Sequence, residues 1–509
     1  MAFIDARTLP NGSEITADLV IIGGGIAGIA IATEWANAGK SVAVLESGGR
    51  EIDMEIQALY AGTGVMRAPG CEDRPIDEYL IRSRVRALGG SGNVWGGKCV
   101  PLDPADFAER PWLERTGWPV THAAMQSFYD RACALLQIPA FHRDYDAEPL
   151  ADRPPLHIGD DFFSGPRVHS NLSGRDPNPE AFNRFRTNFA SAPNINVYLH
   201  ANVTHVRLDR RGRSVASLDV QCLNGARHTA RGRAYVLAAG GIENVRILLH
   251  SNSVRREGVG NHSDWLGRCF QGHVTFGVYN NAEGLNTMLA VSSGQDMTLY
   301  TDGRRDRVHC VLASTLEGQR RANSGNFTAT LVQADGAPSP EDPAVFALAG
   351  QIDAGIGAAA RIPCFFMSEQ LPHLESRLTL HEGHADALGM APMHLDWVYS
   401  ERDMQNLERS IAALGDALGA ANKGRVRFPV ERSALLSILN ASRHHIGTTR
   451  MSRDADDGVV DQNSRVHGVR NLYIAGSSVF PTSGIANPTL TLVALAMRLS
   501  DHLKRQLGV

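Results

Sequence analysis

Residues 18–49 read DLVIIGGGIAGIAIATEWANAGKSVAVLESGG. LVII is a short apolar run rich in β-branched side chains, the pattern of a buried strand. Gly23, Gly25 and Gly28 follow as G-x-G-x-x-G. The next residues have helical spacing and run to Gly39, a glycine placed to cap a helix C-terminus. SVAVLE is then a second buried strand, ending in Glu46. Strand, glycine turn, helix, strand and terminal acid make a complete βαβ nucleotide fingerprint. Gly23 permits the tight turn, Gly25 lets the backbone approach a pyrophosphate, and Gly28 lets the helix pack on the strand. The helix start offers free N–H groups and a positive dipole end to phosphate. Glu46 suits two ribose hydroxyls as an acceptor and disfavours a 2′-phosphate.

The fingerprint alone does not separate NAD from FAD. Two later stretches favour FAD. RAYVLAAGGIEN (233–244) is a strand ending in small residues and followed by a helix. NLYIAGSSVFPT (471–482) is another, with Gly476 at its end and the final helix starting at Thr489. Small residues at strand ends let the backbone approach a flat cofactor. Ends of this kind from Gly23 to Gly476 describe one sheet assembled from distant segments, whereas a nicotinamide domain is normally contiguous. The competing reading is that the later glycines only permit helix packing. NINVYLHANVTHVRL (194–208) returns to the same sheet and brings Val203 toward the adenine.

A second glycine-rich loop is RVRALGGSGNVWGGK (84–98), containing Gly89, Gly90 and Asn93. So many glycines weaken any helix or strand and suit a backbone lying against a ligand. Val94 and Trp95 are residues of buried type, which argues against a loose surface loop.

The 509-residue chain is long enough for two domains. Its 43% hydrophobic and 20% charged content is ordinary for a globular protein. The net charge of -4 leaves no basic footprint for nucleic acid and no polybasic membrane patch. No basic, then apolar, leader opens the chain, and no apolar run is long enough to span a bilayer. The seven cysteines are scattered, without a Cys-x-x-Cys. They read as reduced thiols of a cytoplasmic protein with no metal site.

Gly23–Gly28 with Glu46, then LGGSGNVWGG (88–97), then HHIGTTRM (444–451) and GVVDQNSRVHGVRNLYIAGSSVFPTSGIANPTLTLVALAMRL together resemble the glucose–methanol–choline (GMC) oxidoreductase family. The resemblance is closer to the branch holding pyranose oxidase and bacterial sugar or glucoside dehydrogenases. It covers nearly the whole chain and is most specific over residues 442–501. It implies an α/β fold, α+β overall: a discontinuous Rossmann-like FAD-binding domain with a substrate domain of antiparallel sheet and helices. The flavin domain is expected from 1–110, 191–270 and 436–509, a lid or crossover segment from 111–190, and the substrate domain from 271–435. In some members a histidine of the glycine loop is joined to the flavin. That position falls here on Val94, so FAD is expected to bind without a covalent link.

The family's catalytic histidine sits in H-x-x-G-T. Gly447 and Thr448 set that register and select His444, leaving His445 as its neighbour. The second catalytic position, His or Asn in the family, falls on Asn487 in GIANPTLT. The chemistry suits both residue types. Oxidising CH–OH to C=O removes a hydride from carbon and a proton from oxygen. Neutral imidazole suits the proton, and an amide can donate to the developing alkoxide. For His445, structural and substrate-contact readings stay open. His273 and Gln370 are further substrate-contact candidates, and Arg377 and Trp397 are pocket or packing residues. Arg450 is read as a core or flavin-domain ion pair and His467 as a surface residue.

The expected function is therefore FAD-dependent oxidation of a sugar, glycoside or related polyhydroxy compound. The expected partners are a small-molecule alcohol or sugar and an electron acceptor, oxygen or a separate carrier; a homo-oligomer stays open. Three other readings also stay open: a lyase of the family that keeps FAD structurally, an NAD-dependent dehydrogenase, and a non-catalytic flavin-binding partner protein.

Overall fold

The first sheet grows outward from Glu14–Ile22, the strand of the nucleotide fingerprint. The computed structural model describes residues 2–138, 140, 157–170, 192–277, 288–292, 308–331, 360–383, 385–423, 425–427, 432–434, 436, 439 and 441–509. On one side of Glu14–Ile22 lie Val42–Leu45, Ile195–Leu199 and Ala2–Asp5, all parallel. On the other lies Arg227–Leu237, also parallel, followed by the antiparallel strands Val215–Gln221 and Asn202–Leu208. The upper half of Arg227–Leu237 takes a further parallel partner, Leu472–Ile474. Residues from both ends of the chain thus share one sheet. Its central strands are buried on both faces, as Leu19–Ile22 and Tyr235–Leu237 show, and so read as continuous apolar runs.

The helix Ile26–Glu34 follows the glycine turn and packs against the C-terminal helix Thr489–Leu507. The first of these is shorter than the pattern to Gly39 suggests. Trp35 is fully buried, and Asn37 turns left-handed at φ 61°, which breaks the ladder before Gly39.

A second sheet is wholly antiparallel and includes His273–Gly277, Phe327–Leu331 and Ala360–Glu369. A third joins Gly62–Arg67 and Arg74–Pro75 to Met393–Val398 and Arg377–Leu380. The sheets divide the chain differently from the expected boundaries in two places. Residues 62–75 and 98–99 belong by position to the first flavin segment, yet pair with strands outside the flavin-domain sheet. The helix His122–Leu136, expected in a lid or crossover, packs on Thr489–Leu507, and Tyr129 Oη lies 2.9 Å from Thr491 Oγ1. Its buried Met125, Tyr129, Ala132 and Leu136 form an apolar stripe that must be covered. The Pro- and Asp-rich stretch at 144–156 lies outside the described residues.

Candidate active site

The glycine turn places three residues by three different constraints. Gly23 has φ +103°, and a Cβ there would stand 2.6 Å from the Ala238 carbonyl oxygen. A Cβ on Gly28 would stand 2.1 Å from the Gly23 carbonyl, so only glycine allows helix and turn to meet. Gly25 starts the helix at an ordinary φ of -78°, and a Cβ on it would meet nothing nearer than Gly90 Cα, 4.0 Å away. The two glycine loops therefore face each other bare.

Between them opens a cavity of about 1300 Å³. Gly23, Gly25, Glu46, Val203, Gly90, Val94, Gly476, His444, His445, Asn487 and Thr489 all line it. Pockets for a single drug-sized ligand run to roughly 1,000 Å³, so this one has room for an elongated cofactor and a substrate. Gly476 has φ +134°, and a Cβ on it would meet nothing within 4 Å, so its backbone is bare toward open space.

Other expected cofactor contacts stand behind the wall. Gly28 lies beneath the turn. Gly89, at φ 102°, donates its N–H to the Gly24 carbonyl at 2.8 Å. Asn93 donates its amide to the Leu88 and Gly90 carbonyls at 3.1 and 2.9 Å, closing the loop on itself. Val94 is not buried as its type suggests. It is 47% exposed, because the neighbouring glycines offer no side chains to cover it. Glu46 spends part of its accepting capacity on the loops, taking N–H bonds from Gly24 at 2.8 Å and Gly48 at 2.7 Å. The Ser47 hydroxyl donates to it as well, at 3.2 Å; a carboxylate has about four accepting positions, which leaves one for a ribose hydroxyl.

On the cavity wall, His444 Nε2 lies 3.5 Å from Asn487 Nδ2, and its Nδ1 lies 2.7 Å from His273 Nδ1. Burial, with His273 and His445 alongside, holds the His444 pKa well below 6.5. It is a neutral imidazole at working pH, with accepting capacity. His445 packs edge-on to Tyr79 and against Phe270. Burial, then Arg84, lowers its pKa to about 3, and its Nε2 has no hydrogen-bond partner among the described residues. Gly241 makes this possible: a Cβ there would lie 2.7 Å from the His445 carbonyl.

Two residues read as substrate contacts lie elsewhere. His273 is fully buried and does not reach the cavity wall. Gln370 is fully buried too: its Oε1 accepts from Trp397 Nε1 and Gly272 N, both at 2.9 Å, and its Nε2 donates to the Val398 carbonyl. That amide is spent on backbone and packing. Arg377 pairs with Asp264, and Trp397 is core. Arg450 makes no ion pair among the described residues; it donates to the Pro481 and Arg115 carbonyls. His467 is half-buried, with Nε2 3.0 Å from Ser452 Oγ.

Sequence reading missed a buried charge cluster on the same wall. Glu243 faces Arg86 at 3.1 Å, Arg84 at 3.3 Å and Arg246 at 3.4 Å. Burial pushes the Glu243 pKa up, but the three guanidinium groups outweigh it and hold it at about 2. The only signal was the pair of arginines opening RVRALGG.

Comparison with known proteins adds the family. Residues 372–496 match the C-terminal GMC oxidoreductase model, and residues 18–255 match that of FAD dependent oxidoreductases. The chain therefore carries a C-terminal GMC oxidoreductase domain and an FAD dependent oxidoreductase domain. A similar relative over nearly its whole length is 6'''-hydroxyparomomycin C oxidase of Streptomyces lividus, 26% identical across 98% of this chain and 93% of that one. C-glycoside 3-oxidase of Microbacterium trichothecenolyticum is 29% identical across 61% of this chain and 54% of that one. Among solved structures, formate oxidase shares the fold at a TM-score of 0.61 and 16% identity, covering 98% of this chain and 99% of that one. The protein is thus an FAD-dependent oxidoreductase, and its cavity fits the group. The opposed bare glycines would hold the pyrophosphate, Glu46 and Val203 the adenosine end, and Gly476 and Thr489 the flavin end. Among the described residues, no helix is long and apolar enough to cross a membrane.

Proposed function

We propose that this chain oxidises a CH–OH group of a sugar, glycoside or related polyhydroxy compound to a carbonyl. FAD, when bound, supplies the hydride acceptor. The reading rests on one observation: a neutral His444 offers Nε2 to the cavity beside the Asn487 amide, 3.5 Å away. A hydroxyl placed between them would give its proton to Nε2 while accepting from the amide N–H. The start of Thr489–Leu507, just after Asn487, lines the same cavity and favours the negative charge that develops there. The sugar-like substrate class is supported by the names of the relatives, one acting on an aminoglycoside and one on C-glycosides. FAD is held without a covalent link at Val94, whose side chain carries no nucleophilic atom.

The test is anaerobic absorption spectroscopy of the purified holoprotein with sugars, glycosides and simple alcohols added in turn. Bleaching of the flavin band by one class supports the reading, and His444→Ala should slow it by about 10²–10⁴-fold with FAD still bound. A yellow protein that no alcohol bleaches would point to non-redox chemistry instead. Acid precipitation should release the flavin into solution; flavin retained in the pellet would refute the non-covalent assignment.

A further inference from the structure

His273 stands against His444 by register. Gln271 and Ile446 form an antiparallel bridge, each N–H meeting the other's carbonyl at 3.0 Å. Two residues beyond Gln271 and two before Ile446 come His273 and His444. Their rings meet edge to face, 4.8 Å apart at 84°, with the two Nδ1 atoms at 2.7 Å. One hydrogen lies between those nitrogens, and the question is which ring owns it.

The other side of His273 answers that. Its Nε2 lies 3.4 Å from the Ser483 carbonyl oxygen, which can only accept. The hydrogen of neutral His273 is therefore on Nε2, and its Nδ1 is a lone pair. His444 must then supply the hydrogen from its own Nδ1. That leaves the His444 Nε2 lone pair turned toward Asn487 and the cavity. Ser483 is itself fixed: its N–H donates to Gln271 Oε1 at 3.0 Å and its hydroxyl to the Gln370 carbonyl at 3.2 Å. Burial lowers the His273 pKa to about 4, so the ring is neutral where the enzyme works.

We propose that His273 is a positioning residue that holds His444 in its Nδ1–H form, so that Nε2 is the basic atom offered to the substrate. When His444 takes the hydroxyl proton at Nε2, Nδ1–H keeps donating to His273, which steadies the resulting cation. The inference rests on the reading of His444 as the base. It gives a function to the buried Gln271–Ser483–Gln370 network, which holds the carbonyl that sets the whole chain of hydrogen bonds.

The experiment compares holoenzyme variants by anaerobic stopped-flow reduction of the flavin at saturating substrate. His273→Leu removes the acceptor and frees His444 to turn its N–H toward the substrate. The limiting rate should fall by about 10²-fold with the substrate dissociation constant little changed, as misassigned tautomers do elsewhere. In His273→Asn, Oδ1 stands where Nδ1 stood and should restore the rate to within about tenfold of wild type. His273→Gln places its amide at the Nε2 position instead and should stay slow, so the Asn–Gln pair carries the test if the Leu variant does not fold. In a His444→Ala background, His273→Leu should cost nothing further. Equal rates for Asn and Gln, or an additive loss in that background, would overturn the positioning role. A His444→Ala variant that reduces flavin at the wild-type rate would instead overturn the base itself, and the inference with it.

Discussion

Glu243 is the residue on which the inner wall of the cavity depends. It is 3% exposed and is the shared counter-charge of Arg84 and Arg86, while Arg246 has a second acid in Asp386. Glu243→Gln keeps the shape and removes the charge, leaving Arg84 and Arg86 buried without their acid. Breaking a buried pair from one side costs about 3–5 kcal/mol, so urea unfolding of the variant should show a loss in that range. A loss below about 1 kcal/mol, the value of an exposed pair, would mean that water reaches the cluster. At this scale, sequence was legible where a motif sets the register. Gly447 and Thr448 single out His444, and the segment GIANP carries Asn487 to the same wall. His273 was legible only as a histidine, because its meaning comes from a bridge to a segment 171 residues away. Gln370 shows the reverse error: a buried amide spent on Trp397 and the backbone reads in sequence like one that lines a pocket.

The element that governs the cofactor is the turn between Glu14–Ile22 and Ile26–Glu34, and its glycines separate fold from binding. Gly28→Ala sets a Cβ 2.1 Å from a backbone oxygen that cannot swing aside. It should lower stability by about 1–3 kcal/mol or more, seen as a lower melting temperature with or without flavin. Gly25→Ala meets nothing closer than 4.0 Å and has a φ that alanine tolerates. The apoprotein should melt normally, but the methyl enters the gap facing Gly90. FAD should bind at least about tenfold more weakly, a 1.4 kcal/mol loss; unchanged flavin affinity would sink the pyrophosphate assignment for this gap. Strand, turn and helix here were legible because local period and turn chemistry agree. The third sheet was not: Gly62–Arg67 and Met393–Val398 are short strands from distant parts of the chain, with no shared local pattern.

Among the described residues, the buried histidines and the two buried aspartates Asp106 and Asp403 pull stability in opposite directions with pH, while Glu243, held at about 2, pulls with the histidines. Burial lowers His273 to about 4 and His445 to about 3, and holds His444 well below 6.5. As pH falls below 6.5 the unfolded chain takes these protons and the native state does not, so stability is lost with acid. Burial raises Asp106 to about 7 and Asp403 to about 6, and these native-state protons work the other way. His273, His445 and His444, joined by Glu243, outnumber the two aspartates, so the unfolded chain binds more protons than the native state between about pH 6 and pH 4. His200, His205, His250, His373, His467 and His502 shift downward as well. Urea unfolding should therefore show stability falling by at least about 1.4 kcal/mol per pH unit across that window; a flat profile would contradict it. Hydrogen bonding of Leu472–Ile474 to Arg227–Leu237 has a consequence for how the protein is made. During translation the flavin-domain sheet carries an open slot until residues 472–474 emerge, and Asn487 and Thr489 come later still. A nascent chain therefore cannot grip its cofactor at both ends before those residues emerge, and flavin loading follows them.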